Sequence, residues 1–131
     1  IKKGIHLHRF IDSFTDTHSV AEQSKARIRN THHKYTPVIV DIFYDHFLAA
    51  NWTAYHNQTL ELYSEDVYRL MEKNIAILPQ RTQLMLTYMR KQNWLVKYAT
   101  LEGLQRVLTG MSNRAAFANK MNESVTDLEK N

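Results

Sequence analysis

Apolar residues recur every three or four positions along most of the chain, the spacing typical of amphipathic α-helices. Only three glycines and two prolines interrupt the chain, and no run alternates apolar and polar residues as a half-buried strand does. The fold class predicted is therefore all-α. Helices are predicted over about residues 1–16, 19–30, 36–52, 59–77, 80–92, 101–111 and 113–121, with a short turn starting at Trp94 and a polar tail from Asn122 to Asn131.

Several residues are typical of helix ends. Ser19 is predicted to cap the second helix, with Glu22 three residues later completing a capping box. Pro37 suits the first turn of the third helix, where its missing N–H costs little. Gly110 is predicted to stop the helix that contains it, and Ser112 to cap the last helix.

The third predicted helix, which ends in the segment Val38–Trp52, is apolar nearly all the way round and is therefore expected to be buried. It nevertheless carries Asp41, Asp45 and His46. Asp41 and Asp45 share a face, whereas His46 points roughly 100° away around the helix. Buried carboxylates need a metal, an ion pair or hydrogen bonds. Spacing alone leaves open whether this is a functional site or a set of structurally satisfied polar groups.

The first predicted helix carries a polar row beside its apolar stripe. His8, Asp12 and Asp16 follow one another in four-residue steps, so an aspartate can orient the histidine ring. Arg9 can pair with Asp12 or bind a phosphate through two hydrogen bonds. The alternative is that the histidine is an ordinary surface residue.

The composition narrows the class of protein. A length of 131 residues with 44% apolar residues predicts one globular domain. No run of eighteen apolar residues and no signal peptide is present, so no membrane span is expected. The absence of cysteine excludes disulfides and thiolate metal sites and fits a cytoplasmic location. A bound metal would need oxygen and imidazole ligands, which suit Mg, Mn, Fe or Zn.

The charge favours an acidic partner. Lys and Arg number 17 against 13 Asp and Glu, a formal net charge of +4. Lys25, Arg27 and Arg29 form a basic surface on the second predicted helix and are candidates for partner binding. Nucleic acid is not expected, because Arg-rich clusters interleaved with aromatic residues are lacking.

Three blocks of sequence carry a resemblance to a known family. They are GIHLHRFIDSFTDTH at residues 4–18, VDIFYDHFLAANW at 40–52 and QNWLVKYATLEGLQRVLTGMSNR at 92–114. In this order, over nearly the whole chain, they resemble the acyl carrier protein phosphodiesterases, also called holo-acyl-carrier-protein hydrolases. The resemblance implies a compact all-α domain similar to the HD-type metal phosphohydrolases. It also implies a chain that lacks the family's N-terminal and C-terminal segments.

The same resemblance implies a reaction and a set of residues. The phosphodiester between 4′-phosphopantetheine and a serine of holo-acyl carrier protein, an acidic partner, would be hydrolysed with a divalent metal. That metal would be Mn²⁺, with Mg²⁺ or Fe²⁺ as alternatives. Matching the family's motifs assigns catalytic roles to His8, Arg9, Asp12, Asp16 and Asp41, and metal binding to Asp45 and His46. Two other functions stay open: an HD-type phosphohydrolase acting on a nucleotide or a small phosphodiester, and a non-catalytic helical module that binds an acidic partner.

Overall fold

The computed structural model describes residues 2–130, and the side chains of residues 2–128. Over this range the chain forms α-helices, single 3-10 turns and loops but no strand, which confirms the all-α prediction. The helices are α1 (Lys2–Thr17), α2 (Ser19–His32), α3 (Thr36–Ala50), α4 (Leu60–Lys73), α5 (Gln80–Gln92), α6 (Trp94–Lys97), α7 (Leu101–Arg114) and α8 (Val125–Lys130). Within the described range, no helix combines the length and apolar character that crossing a bilayer requires. Ile1 and Asn131, included in the predictions above, lie outside the described residues.

The chain divides into two compact units, which are described separately. The first comprises the residues up to Ile42 and from Leu108 onward, and the second comprises Phe43–Val107. Buried apolar side chains of the first unit are Ala21, Ile28, Ile39, Val40, Ile42, Leu108 and Met121. Those of the second unit are Phe43, Tyr68, Leu86 and Leu104.

Helix α2 of the first unit starts differently from the prediction. His18 is its N-cap, with the ring Nδ1 accepting a hydrogen bond from the Val20 N–H at 3.3 Å. The predicted Ser19 cap is wrong, because Ser19 is already the first helical residue. Glu22 does not complete a capping box on Ser19, since its carboxylate binds Lys25 and Arg29 further along the helix.

The C-terminal part of the first unit also departs from the prediction. Helix α7 runs through Gly110, so the predicted stop there is wrong; no glycine of the described chain has a positive φ. The predicted last helix at 113–121 is wrong as well, because a 3-10 turn over Met121–Glu123 and α8 take its place. Contacts distant in sequence explain this shift. Met121 and Ser124 are buried, and His32 Nε2 lies 2.8 Å from Asp127 Oδ2.

The second unit is held together by a charged network between α4 and α5. Glu65 accepts hydrogen bonds from the Arg90 guanidinium and, at 2.9 Å, from Arg69 Nε. Hydrogen bonds from Arg90 lower the pKa of Glu65 to about 2. Arg90 also lies over the ring of buried Tyr68, whose hydroxyl accepts the Leu95 N–H at 3.1 Å. The network therefore fixes the start of α6.

The turn between α6 and α7 depends on a close backbone approach. A Cβ atom on Gly103 would lie 2.0 Å from the Lys97 carbonyl oxygen, closer than real Cβ atoms come. Thr100 ties this turn together, because its hydroxyl accepts the Gly103 N–H at 3.1 Å and donates to the Lys97 oxygen at 3.0 Å. The next residue, Tyr98, is thereby held in place, which matters for the candidate site below.

Candidate functional site

Helix α1 presents its predicted polar row and its apolar residues alike to solvent. None of its residues is buried, and Leu7, Phe10 and Phe14 are each at least 60% exposed. His8 Nε2 lies 3.2 Å from Asp12 Oδ2, so the structure brings together the pair that the four-residue spacing suggested. Arg9 lies on the same exposed helix.

Asp16 lies next to Lys25 of α2. The Lys25 ammonium donates to the Asp16 backbone oxygen at 2.9 Å and lies 3.4 Å from Asp16 Oδ1 and 3.2 Å from Glu22 Oε1. Burial of Lys25 opposes its charge, but the bonds to Glu22 and Asp16 outweigh burial and raise the pKa.

The predicted basic surface is therefore smaller than expected. Placing Lys25 on it is wrong, because only 8% of that side chain is exposed and its ammonium faces two carboxylates. A lysine can bury its stem and charge in this way when hydrogen-bond acceptors surround the ammonium. Arg27 and Arg29 are exposed, and Arg29 pairs with Glu22 at 3.2 Å.

Asp41 joins this group within the first unit. Its pKa is raised, first by the partial loss of hydration on its protein-facing side and then by the negative charge of Asp16, with a smaller contribution from Asp12. Lys25 acts in the opposite direction. The charges of Asp12 and Asp16 thus act on the third predicted catalytic carboxylate of this unit, that of Asp41.

The expected burial of α3 holds on one side of the helix only. Ile39, Val40, Ile42, Phe43 and His46 are buried, whereas Asp41 and Asp45 are exposed. The prediction that these two carboxylates are buried is wrong. That prediction assumed that a helix with apolar residues on all sides is buried on all sides. Apolar residues can remain in solvent, however, and here Phe47 is 46% and Leu48 is 44% exposed.

His46, in the second unit, is the buried imidazole of α3. Its ring is 7% exposed, and Nδ1 lies 2.7 Å from the backbone oxygen of Tyr98. A carbonyl oxygen can only accept, so Nδ1 carries the hydrogen. In the neutral ring the lone pair then lies on Nε2, which is the arrangement found in metal-binding histidines. The predictions missed Tyr98, which is 52 residues away and has no signal in the spacing.

A cavity of about 240 Å³ lies beside these residues and is called the Trp52 cavity below. It is lined by Asp45, Leu48, Ala49, Trp52, Leu60, Tyr63, Leu95 and Tyr98. The Trp52 ring lies 4.7 Å from that of Tyr63 and 5.2 Å from that of His56. Burial, and then the charge of Asp45, raise the pKa of the Tyr98 phenol. Tyr98 therefore remains a neutral phenol at neutral pH.

Two side chains of the second unit provide atoms that could bind a metal ion and so fit part of a metal site. Asp45 supplies carboxylate oxygens and His46 supplies an imidazole nitrogen, the ligand types that Mn²⁺ and Fe²⁺ accept. In the part of the chain that the structure describes, no three His, Asp or Glu side chains are grouped so that they could hold a metal. Ions such as Mg²⁺ use one or two carboxylates and complete their shell with water and phosphate oxygens, so a two-residue contribution is chemically sufficient for them.

Comparison with known proteins identifies the family to which the chain is related. The family profile described as acyl carrier protein phosphodiesterase matches residues 1–131. The chain belongs to this family. Proteins named acyl carrier protein phosphodiesterase from Photorhabdus laumondii and Pectobacterium atrosepticum are each 30% identical to it, over 97% and 99% of this chain. The relative from Escherichia coli O6:H1 is 29% identical over 96% of the chain.

The chain spans about two thirds of the length of these family members: 65% of the Photorhabdus protein, 68% of the Pectobacterium protein and 66% of the Escherichia protein. No solved structure matches the chain. The individual roles of the site residues stay predictions.

Proposed function

We propose that the chain carries the catalytic machinery of a phosphodiesterase that hydrolyses the bond between 4′-phosphopantetheine and the serine of holo-acyl carrier protein. Family membership and the names of the relatives support the reaction. The observation that assigns part of the reaction to particular atoms is the fixed orientation of the His46 ring. Its Nδ1 is held by the Tyr98 carbonyl, and Asp45 precedes it on the same helix.

In this proposal Asp45 and His46 hold a divalent ion, Mn²⁺ or alternatively Mg²⁺ or Fe²⁺, as in the HD-type phosphohydrolases. When bound, such an ion supplies a water of lowered pKa and stabilises charge on the phosphoryl oxygens. The protein keeps His46 ready for this role at no cost in reorganisation. The Tyr98 carbonyl fixes the tautomer and the ring orientation, and burial limits alternative rotamers.

Other residues act on the substrate. Arg9 binds the phosphate through two parallel N–H donors, a geometry that a guanidinium provides and an ammonium does not. Asp12 orients His8 through the 3.2 Å contact. Asp41 has the raised pKa of a carboxylate that is a better proton acceptor than an ordinary aspartate, and Asp16 contributes to that shift.

The Trp52 cavity and the basic side chains suit the two parts of the substrate. The cavity is lined by aliphatic side chains and by the aromatic residues Trp52, Tyr63 and Tyr98, which suits a flexible arm that has both apolar carbons and amide groups. Arg27 and Arg29, together with the net charge of +4, favour approach of an acidic carrier protein.

The test is mass spectrometry of holo-acyl carrier protein incubated with this chain and Mn²⁺, with and without EDTA. The expected result is a loss of the phosphopantetheine mass that EDTA prevents. Asp45→Asn and His46→Gln should each lower the rate by at least about 100-fold, the upper end of what losing a group that merely orients a ligand costs.

Glu61→Gln is the matched control, because Glu61 is an exposed carboxylate on α4 outside the site. It should retain the wild-type rate, and circular dichroism should show that all three variants keep their helices. Hydrolysis that persists in both site variants would remove the central claim. A metal-dependent cleavage of small phosphodiesters without cleavage of the carrier protein would favour the alternative phosphohydrolase.

A further inference from the structure

A second cavity, in the first unit, is not used by the proposed reaction. It has a volume of about 490 Å³ and is formed by the end of α2, the following 3-10 turn and the loop after α7. It is called the Lys34 cavity, and its lining includes His32, Lys34, Tyr35, Phe117 and Lys120. Its volume is in the range of cavities that take small molecules.

One wall of the Lys34 cavity contains a buried histidine with an unsatisfied atom. His32 is 4% exposed, and its Nε2 lies 2.8 Å from Asp127 Oδ2, so Nε2–H donates to that carboxylate. The other ring nitrogen, Nδ1, is buried and has no hydrogen-bond partner among the residues that the structure describes. Buried polar atoms are nearly always hydrogen-bonded, and an exception calls for a reason such as a missing ligand.

The same wall contains a strained residue. His33 has φ 46° and ψ −119°, a backbone conformation that residues with a Cβ rarely adopt. Such conformations persist when the surrounding structure imposes them, and they cluster at binding sites. Here the strained residue turns the chain from α2 into the 3-10 turn and so places Lys34 and Tyr35 at the cavity.

The lining also combines aromatic rings with lysines. The Lys34 ammonium lies 3.0 Å from the centre of the Phe117 ring and 5.3 Å from that of Tyr35. Phe117 is 64% exposed, so its ring offers a surface for stacking. Lys120 adds a second ammonium to the lining. Cations beside an exposed aromatic face suit an anionic molecule with a flat apolar body.

We propose that the Lys34 cavity is a binding site for a small aromatic phosphate monoester. Its phosphate pairs with Lys34 and Lys120, its ring stacks on Phe117, and a bound water donates to the lone pair of His32 Nδ1, which gives that atom the partner it lacks. This site is separate from the residues to which hydrolysis is assigned, and it stands whether or not the chain cleaves carrier protein.

The test is a titration of the full chain with phenyl phosphate that is monitored by ¹H–¹⁵N NMR of the backbone and of the histidine rings. The expected result is saturable shifts confined to residues 31–35 and 117–121, together with a shift of the His32 ring nitrogens. Inorganic phosphate has only the anionic group and phenol has only the aromatic ring. Each should therefore bind at least about tenfold more weakly than phenyl phosphate, equivalent to about 1.4 kcal/mol.

Lys34→Gln and Lys120→Gln should each weaken binding of phenyl phosphate by about tenfold. Lys91→Gln is the matched control, since Lys91 is an exposed lysine of the second unit outside the cavity, and it should leave binding unchanged. An equal loss in Lys91→Gln would show non-specific attraction and overturn the proposal. The absence of saturable shifts, or equal binding of phosphate or phenol alone, would also overturn it.

Discussion

Replacing Gly103 by alanine tests whether the turn between α6 and α7 supports the candidate site. The added Cβ would lie 2.0 Å from the Lys97 oxygen and 2.7 Å from the Lys97 carbonyl carbon. Both are backbone atoms and cannot swing away as the end of a side chain could. The turn must therefore open, breaking the hydrogen bonds that Thr100 makes to Gly103 and Lys97.

The magnitude follows from two opposing effects. Alanine in a helix gains about 0.5–1 kcal/mol over glycine, whereas overpacking by one carbon costs about 1–3 kcal/mol and occasionally more. An overlap of this size with backbone places Gly103→Ala at the upper end, so we expect a net loss of about 2–3 kcal/mol. Thermal unfolding followed by circular dichroism should show a midpoint lower by roughly 10 °C.

Two other glycines provide controls for the same substitution. A Cβ on Gly4 meets no atom within 4 Å, and one on Gly110 meets only the Arg114 guanidinium at 3.6 Å. Gly4→Ala and Gly110→Ala should therefore be neutral or should raise stability by up to about 1 kcal/mol. Gly103→Ala should also lower the hydrolytic rate below its melting temperature, because Tyr98 follows Lys97 and holds His46. Equal stabilities of the Gly103 and Gly110 variants would refute this reasoning.

Two further predictions concern charges. The folded-state pKa of Glu65 is lowered from 4.5 to about 2, so its contribution to stability is complete above pH 4.5 and is lost as the pH falls toward 2. Glu65→Gln should therefore unfold at a lower urea concentration than wild type at pH 7, and this difference should shrink below pH 4.5. The control Glu61→Gln should show little difference from wild type at any pH. A pH-independent difference for Glu65→Gln would contradict this account. Lys25→Met should lower stability by about 1.5–3 kcal/mol by urea unfolding, because it removes charged hydrogen bonds. It should also raise the pKa of Asp41 measured by NMR, since Lys25 lowers it, and an unchanged Asp41 pKa would argue against their interaction.

Sequence predicted the elements well wherever the determining signals are local. Helix α5 runs over Gln80–Gln92 as expected, because Pro79 precedes it and Asn93, in the left-handed conformation, ends it. The N-cap of α2 and the C-terminal helix were misplaced for different reasons. His18 replaced the expected serine cap, and the position of α8 depends on Asp127 meeting His32, which is 95 residues earlier in the chain.

In the candidate site, too, the features set by local sequence were predictable and those set by tertiary structure were not. The His8–Asp12 contact follows from helix geometry, and the spacing was enough to predict it. The burial of His46 and the exposure of Asp45 depend on which side of α3 faces the rest of the protein, and an apolar helix gives no amphipathic pattern from which to infer that side. The Tyr98 carbonyl was beyond prediction because any residue's backbone can supply it.

The contacts of the Trp52 ring with His56 and Tyr63 have a practical consequence for spectroscopy. The indole lines the same cavity as Asp45, and its N–H donates to the Gln58 oxygen at 2.9 Å. The chain has two tryptophans, and the other, Trp94, begins α6. Excited at a wavelength that tyrosine does not absorb, a Trp94→Phe chain would emit from Trp52 alone. Its fluorescence would then follow occupancy of the Trp52 cavity in real time, without a label and without turnover.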